Sequence, residues 1–298
     1  MTYNKPALTF QQQIQLLESR GLTILNKPEA ERHFSLISYY RLSAYMLSFQ
    51  IKNDPNHIYL PGATFEKILR LYQFDRELRL ILFDAIEKIE ISLRTQIIYH
   101  LSHAYGSHWY TDATLFQDAR EHQNILEKIN QVCSANDKEV FIAHYLSKYT
   151  NPSLPPCWMA LEVISFGQLS KIYRYLDTPT ELKKISSQFG VDITVLGSWL
   201  HSINYVRNIC AHHGRIWNKL LAISPINPKK TKYIWLSNNR LNQKKVYFSL
   251  SVINYMLRAI YPNSDFSLQI KKLITKYPEV PTQNMGFPNN WNNELLWS

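Results

Sequence analysis

Apolar residues recur at three- and four-residue intervals along nearly the whole chain, and few windows alternate strictly, a spacing that predicts helix almost throughout. Thr9 and Gly21 bracket a first helix, and Pro28 stands where a second can begin. Between Ser38 and Ile51, the residues Tyr39, Leu42, Tyr45, Met46 and Phe49 fall on one side, before Asn53-Asp54-Pro55-Asn56 ends the run. From Thr64 to about Tyr105 there is neither Pro nor Gly, and the stretch is rich in Leu, Ile, Glu and Arg. It predicts one very long helix or two nearly continuous ones, the backbone of the fold.

Weaker helical patterns follow the Gly106-Ser107 turn, at 116–134 and 137–149, and then comes the breaker Asn151-Pro152-Ser153-Leu154-Pro155-Pro156. The apolar pattern resumes at once with Cys157-Trp158-Met159-Ala160-Leu161, which makes the breaker a loop within a domain and not a flexible linker. Further helices are expected at 157–176, 179–188, 192–213, 246–262 and 268–277, with a polar tail after Pro278. The expected organisation is a single all-α domain over 1–298. It comprises an N-terminal helical extension at 1–60, a helical core at 64–217 and a basic C-terminal extension at 218–298.

Composition fits this picture: 298 residues, 45% of them hydrophobic, can bury a large core, and 13% aromatics against only eight Gly favour packed helices over a turn-rich sandwich. The opening MTYNKPALTFQQQ lacks the apolar run of a signal peptide, and no later run reaches the roughly 18 apolar residues a membrane span needs. The expectation is a cytoplasmic chain without a membrane partner. Cys133, Cys157 and Cys210 lie far apart with no CxxC pair, so buried, reduced thiols are expected and no zinc knuckle. His100 and His103 share a helix face without a third ligand. A P-loop, a dinucleotide fingerprint and a zincin motif are all absent, and no cofactor or metal is expected.

The net charge of +10 is unevenly placed. Of 33 Lys+Arg and 23 Asp+Glu, residues 199–298 carry 13 and three, which leaves 20 of each sign for the first 198. A one-sided basic field attracts polyanions, and a merely solvated basic face is the alternative. Within this third, Lys229-Lys230-Thr231-Lys232-Tyr233-Ile234-Trp235 and the run from Arg240 through Lys244 and Lys245 to Tyr247 interleave cations with aromatics. That mixture suits phosphate contacts with base stacking, or a solvated loop with anchoring aromatics.

The chemically informative segment is Arg207-Asn208-Ile209-Cys210-Ala211-His212-His213-Gly214-Arg215-Ile216-Trp217-Asn218. On a helix Asn208 and His212 are i,i+4 neighbours, whereas Arg207 stands roughly 140° round from His212 and about 7.5 Å along the axis, so its long side chain must cover the difference. Gly214 is placed to end the helix just after the two histidines. Imidazole can move protons near neutral pH, and a guanidinium beside it can hold a phosphate and its developing charge. Those are the needs of RNA cleavage by the ribose 2′-hydroxyl.

Spacing alone is weak evidence, because 13 arginines and 10 histidines produce such matches by chance. Arg94 and His100 also match, but Glu90 lies one turn before Arg94 as a ready ion-pair partner, which favours a structural role. Tyr205, just before the motif, can line the site or pack.

The whole string Arg207 to Asn218 resembles the signature of the Abi family of abortive-infection proteins, most nearly its AbiD and AbiF branch. Tyr39-Tyr40-Arg41-Leu42-Ser43-Ala44-Tyr45 and Ile89-Glu90-Ile91-Ser92-Leu93-Arg94-Thr95 add to the likeness, which spans roughly residues 10 to 220. The resemblance implies a HEPN-like helical bundle and a metal-independent ribonuclease built on an Arg-Asn-x-x-x-His motif. It assigns Arg207 to the scissile phosphate, His212 to acid/base work, with His213 a substitute, and Asn208 to orienting the pair. Arg215 follows directly as a further RNA contact. With one copy of the motif in the chain, the resemblance also implies a homodimer with facing 192–213 helices, and in some related systems a small structured RNA that restrains the protein. Two other readings stand beside the nuclease: an RNA-binding protein that holds a structured RNA without turnover, and a helical interaction scaffold.

Overall fold

A computed structural model of the chain describes residues 2, 6–237 and 240–298; the other positions of the opening segment, on which the reading of a missing leader partly falls, lie outside them. Among the described residues the fold is all-α, with twelve α-helices, short 3-10 turns and no strand. Among the same residues, no helix is long and apolar enough to cross a membrane.

The chain divides into two compact units, and the division falls inside the long helix. The smaller unit is Met1–Arg79 with Lys271–Pro281; the larger is Leu80–Ile270 with Thr282–Ser298. The breaker at 151–156 lies inside the larger unit as a loop.

In the smaller unit, α1 (Phe10–Ser19) starts at Thr9, whose hydroxyl accepts from the Gln12 N–H while the Gln12 side chain accepts from the Thr9 N–H, a reciprocal cap. α2 (Lys27–Ile37) carries Pro28 in its first turn and is capped by Asn26, and α3 (Tyr39–Met46) follows after a single residue. Leu17, Phe34, Leu42 and Phe74 are buried at their centre. Tyr45 donates to Asp75 at 2.6 Å, and Arg79 is ion-paired with the same carboxylate and donates to the Tyr45 hydroxyl at 3.1 Å. Burial and the Asp75 charge push the Tyr45 hydroxyl well above its ordinary pKa. A buried pair of this kind costs much desolvation, and removing one partner would strand the other.

The long helix, α4 (Phe65–Tyr105), is a single 41-residue element. Leu78, Leu82, Ile86, Ile89, Leu93, Ile97 and Leu101 form its buried stripe at three- and four-residue spacing. The larger unit continues with α5 (Ala119–Cys133) and α6 (Val140–Lys148). The single helix expected over 157–176 is two, α7 (Cys157–Ala160) and α8 (Phe166–Tyr175). Ser165 caps α8 afresh by accepting from the Gln168 N–H, and the break leaves the Ile164 carbonyl outside any helical ladder, where Arg94 donates to it at 3.2 Å. Then come α9 (Pro179–Gln188), α10 (Ile193–Ala211), α11 (Val246–Ile260) and α12 (Phe266–Lys276). α10 packs against α8, α9 and α11.

The expected polar tail after Pro278 is corrected by the structure. Within the larger unit, Met285, Phe287, Leu296 and Trp297 are buried, and the Trp297 ring lies 5.8 Å from Tyr247 and 5.4 Å from Trp291. Single apolar residues scattered among Asn, Pro and Gln carry no helical or strand period, so burial here comes from individual anchors that no periodicity announces.

Candidate active site

Asp192 accepts from the Val195 N–H at 2.8 Å and caps the start of α10, whose buried residues Leu196, Trp199, Leu200, Ile203 and Val206 fasten it to the core. The opposite side of the helix is polar. Counting 100° per residue, His201, Asn204, Tyr205, Asn208 and His212 fall on one stripe along its length. His201, Asn208 and His212 are exposed, and Asn204 and Tyr205 are half-buried. Tyr205 thus stands on the motif face.

The helix ends sharply. His212 is its cap, the His213 N–H donates to the Cys210 carbonyl at 3.0 Å, and the Gly214 N–H donates to the Ile209 carbonyl at 2.8 Å. These two bonds make a complete Schellman turn. The expectation that Gly214 is the residue that ends the helix is thereby refined: the left-handed position is held by His213, with φ of 55°. An L-residue there carries strain that glycine would not. Gly214 serves a different need, because a Cβ on it would meet Ile209 Cγ2 at 3.1 Å and the Ile209 carbonyl oxygen at 3.3 Å, closer than the turn can comfortably accept. Ile216 and Trp217 are then buried, which anchors the chain directly beyond the histidines.

At this end, Arg207 is half-buried and its guanidinium lies 5.7 Å from the centre of the Phe83 ring of α4. Its helical neighbours one turn away, Ile203 and Ala211, offer no charge, and among the described residues it has no carboxylate partner. The Asn208 and His212 side chains likewise make no hydrogen bond within the described residues. The arrangement therefore places an uncompensated cation, an exposed amide and an exposed imidazole within the last two turns of one helix. His213 is exposed beside them and Arg215 is half-buried.

The other residues singled out in the sequence are spread apart. Arg94 is nearly buried and both its terminal nitrogens are engaged, with Glu90 at 2.8 Å, Glu162 at 3.4 Å and the Ile164 carbonyl, so the expected ion pair is present. Beyond Trp217 the chain runs back along α10. Ser202 donates to the Ile223 carbonyl at 3.2 Å, Trp199 donates to the Ile226 carbonyl at 2.8 Å, and the Lys232 N–H donates to the Gly190 carbonyl at 2.8 Å. Lys229, Lys230 and Lys232 consequently sit at the start of α10, about 27 Å along the helix from His212. There they line a cavity of about 830 Å³ together with Lys183, Asp192 and Thr194. Lys244 returns to the motif side, its carbonyl accepting from the Leu221 N–H at 2.9 Å, and Arg240 is exposed. Lys245 precedes α11 and donates to the Asn284 carbonyl at 2.9 Å. The basic excess of the C-terminal third is therefore partly structural, since Arg258 also donates to the Leu296 carbonyl.

One feature escaped the sequence reading. A second cavity, of about 230 Å³, opens between α8 and α10 and is lined by Gln168, Lys171, Arg174, Tyr175, His201 and Asn204 among others. Burial, and then the neighbouring Arg174 charge, lower the pKa of His201 below its ordinary value. The stripe from His201 to His212 was readable as helical spacing, but Lys171 and Arg174 come from another helix. Among the described residues, no three His, Cys, Asp or Glu side chains are grouped so as to hold a metal ion.

No curated protein and no solved structure matches the chain. A family model described as Abi-like protein matches residues 32–218, well over half of the chain, and covers α10 with the entire Arg207 to Asn218 string. The chain belongs to the Abi-like family, and at the level of that family its role is phage defence by abortive infection.

Proposed function

We propose that this chain is an endoribonuclease effector of abortive infection, of the HEPN type, that cuts RNA without a metal at the C-terminal end of α10. The observation that carries this reading is the pairing of an uncompensated Arg207 guanidinium with an exposed, unbonded Asn208–His212 face at a rigidly terminated helix. In the proposed reaction the ribose 2′-oxygen attacks the adjacent phosphorus, an imidazole takes the 2′ proton, and the bond to the 5′-oxygen breaks as that oxygen gains a proton. The products are a 2′,3′-cyclic phosphate and a 5′-hydroxyl. Arg207 stabilises the charge that builds on the phosphoryl oxygens, and Asn208 orients the phosphate against His212. One imidazole cannot be base and acid at once, so a second copy of α10 in a homodimer supplies the other proton carrier.

The test is incubation of purified protein with total cellular RNA in EDTA, with Arg207→Ala and His212→Ala as comparators. Fragments ending in 2′,3′-cyclic phosphate, made by wild type and by neither variant, are the expected result. Intact RNA, or fragments that persist in both variants, overturns the assignment.

A second reading has its own support. The lysine-lined cavity at the far end of α10 is suited to a polyanion, as a protein that holds a structured regulatory RNA without turnover would require. Salt-sensitive binding without cleavage selects it.

A further inference from the structure

We propose that the cavity between α8 and α10 is a phosphate subsite that holds the RNA strand beside the scissile bond. This rests on the nuclease reading for the strand's identity, but the cavity is argued from its own geometry.

Lys171 and Arg174 stand one turn apart on α8 and face His201 and Asn204 on α10 across about 230 Å³, a space suited to one phosphoryl and sugar moiety and too small for a drug-sized ligand. Two full cations and an imidazole line it, and no carboxylate does. Outside this lining, the half-buried Glu121 of α5 approaches Lys171 at 4.0 Å, the outer limit of an ion pair, which leaves the ammonium free to turn to an anion in the cavity. Arg174 rests 5.7 Å from the Tyr175 ring centre. Neither its guanidinium nor the side chains of Gln168, His201 and Asn204 has a hydrogen-bond partner among the described residues. Several donors thus converge on one small space with nothing to bind.

Gly167 of α8 faces the Asn204 amide, and a Cβ there would already lie in van der Waals contact with it at 3.4 Å. The position along α10 gives the site its meaning. Asn204 and His201 precede Asn208 by about 6 Å and about 10.5 Å on the same face, so a backbone held at Arg207 and His212 reaches the cavity with a phosphate about one or two nucleotides away. A strand laid along the polar stripe meets the cavity first and the motif second.

The probe is a short single-stranded RNA: its 2′-O-methyl form for binding by fluorescence anisotropy, its unmodified form for cleavage. The variants are Lys171→Gln/Arg174→Gln and the isosteric Asn204→Asp, which sets a carboxylate in the cavity and keeps the subsite testable if the double variant fails to fold. Expected for the double variant is at least about tenfold weaker binding and a salt dependence shallower by about 0.7 per lost contact. The cleavage defect falls mainly on the half-saturating RNA concentration, whereas that of Arg207→Ala falls on turnover. Wild-type cleavage with unchanged RNA affinity in folded variants overturns the subsite and leaves the nuclease reading intact. Binding without cleavage that is lost in the variants supports the subsite and overturns the nuclease. A 5′-mononucleotide or inorganic phosphate whose binding is lost in the variants, while RNA binding is not, assigns the cavity to a free phosphate ester and overturns its role on the strand.

Discussion

Two arginines of the larger unit, Arg94 on α4 and Arg207 on α10, stand in the same kind of sequence, each with a histidine five or six residues on, yet their surroundings are opposite. Arg94 is 11% exposed and spends its donors on Glu90, Glu162 and the Ile164 carbonyl, tying the long helix to the break before α8. Arg207 has an apolar residue one turn to either side and an aromatic ring beneath it. The same spacing therefore yields a structural clamp where a carboxylate lies at i−4, and an open cation where none does. What decides the chemistry of an arginine is the charge already beside it.

The contrast can be broken most directly by the paired alanine variants. Arg207→Ala is expected to lower cleavage at least about a hundredfold, the scale of losing one charge-stabilising donor, with the thermal midpoint within about 1 °C of wild type. Comparable cleavage in Arg207→Ala would erase the distinction. Arg94→Ala should do the reverse. Leaving Glu90 half-buried without its partner costs about 2–4 kcal/mol in urea melts, while cleavage per folded molecule holds. A variant that melts like wild type but loses cleavage would move Arg94 into the site.

Smaller effects sharpen the same contrast. Phe83→Leu removes the ring under Arg207 and is expected to weaken cleavage about two- to fivefold, the scale of a cation–π contact of about 0.5–1 kcal/mol. Unchanged kinetics would show that the ring does not hold the guanidinium in place. Smallest is a pH effect at His100, the histidine that follows Arg94. Burial, and then the charge of Lys184, hold its pKa below the ordinary 6.5. The folded state thus resists a proton that the unfolded chain accepts, so this contribution is neutral above the ordinary value and turns destabilising as pH falls through it. Urea melts at pH 7.5 and 5.5 should show a slightly smaller acid loss for His100→Gln than for wild type, and equal losses would place His100 in open solvent.

Much of this was legible because it is local. Forty-one residues without Gly or Pro form one helix, Thr9 caps the first, and Glu90 reaches Arg94 one turn away. Where non-local partners decide, the reading departed from the structure. The stretch 157–176 breaks before Ser165, with Ile164 left to serve Arg94 from α4. The tail that looked polar is nailed down by Trp297. Lys229 to Lys232, near the motif in sequence, lie at the far end of α10 because the chain folds back along the helix through Ile223 and Ile226.

By itself the sequence determined the long helix α4, the common face of Asn208 and His212, and the absence of a carboxylate one turn from Arg207. All of these follow from a rise of about 1.5 Å and a turn of about 100° per residue. Only the tertiary structure decided that His213 takes the left-handed position, that Phe83 lies beneath Arg207, and that Lys171 and Arg174 face His201 and Asn204. The physical reason is the range of the forces involved. Helix periodicity and capping act over a few residues, whereas a cavity or a cation–π contact exists only where packing brings distant segments together.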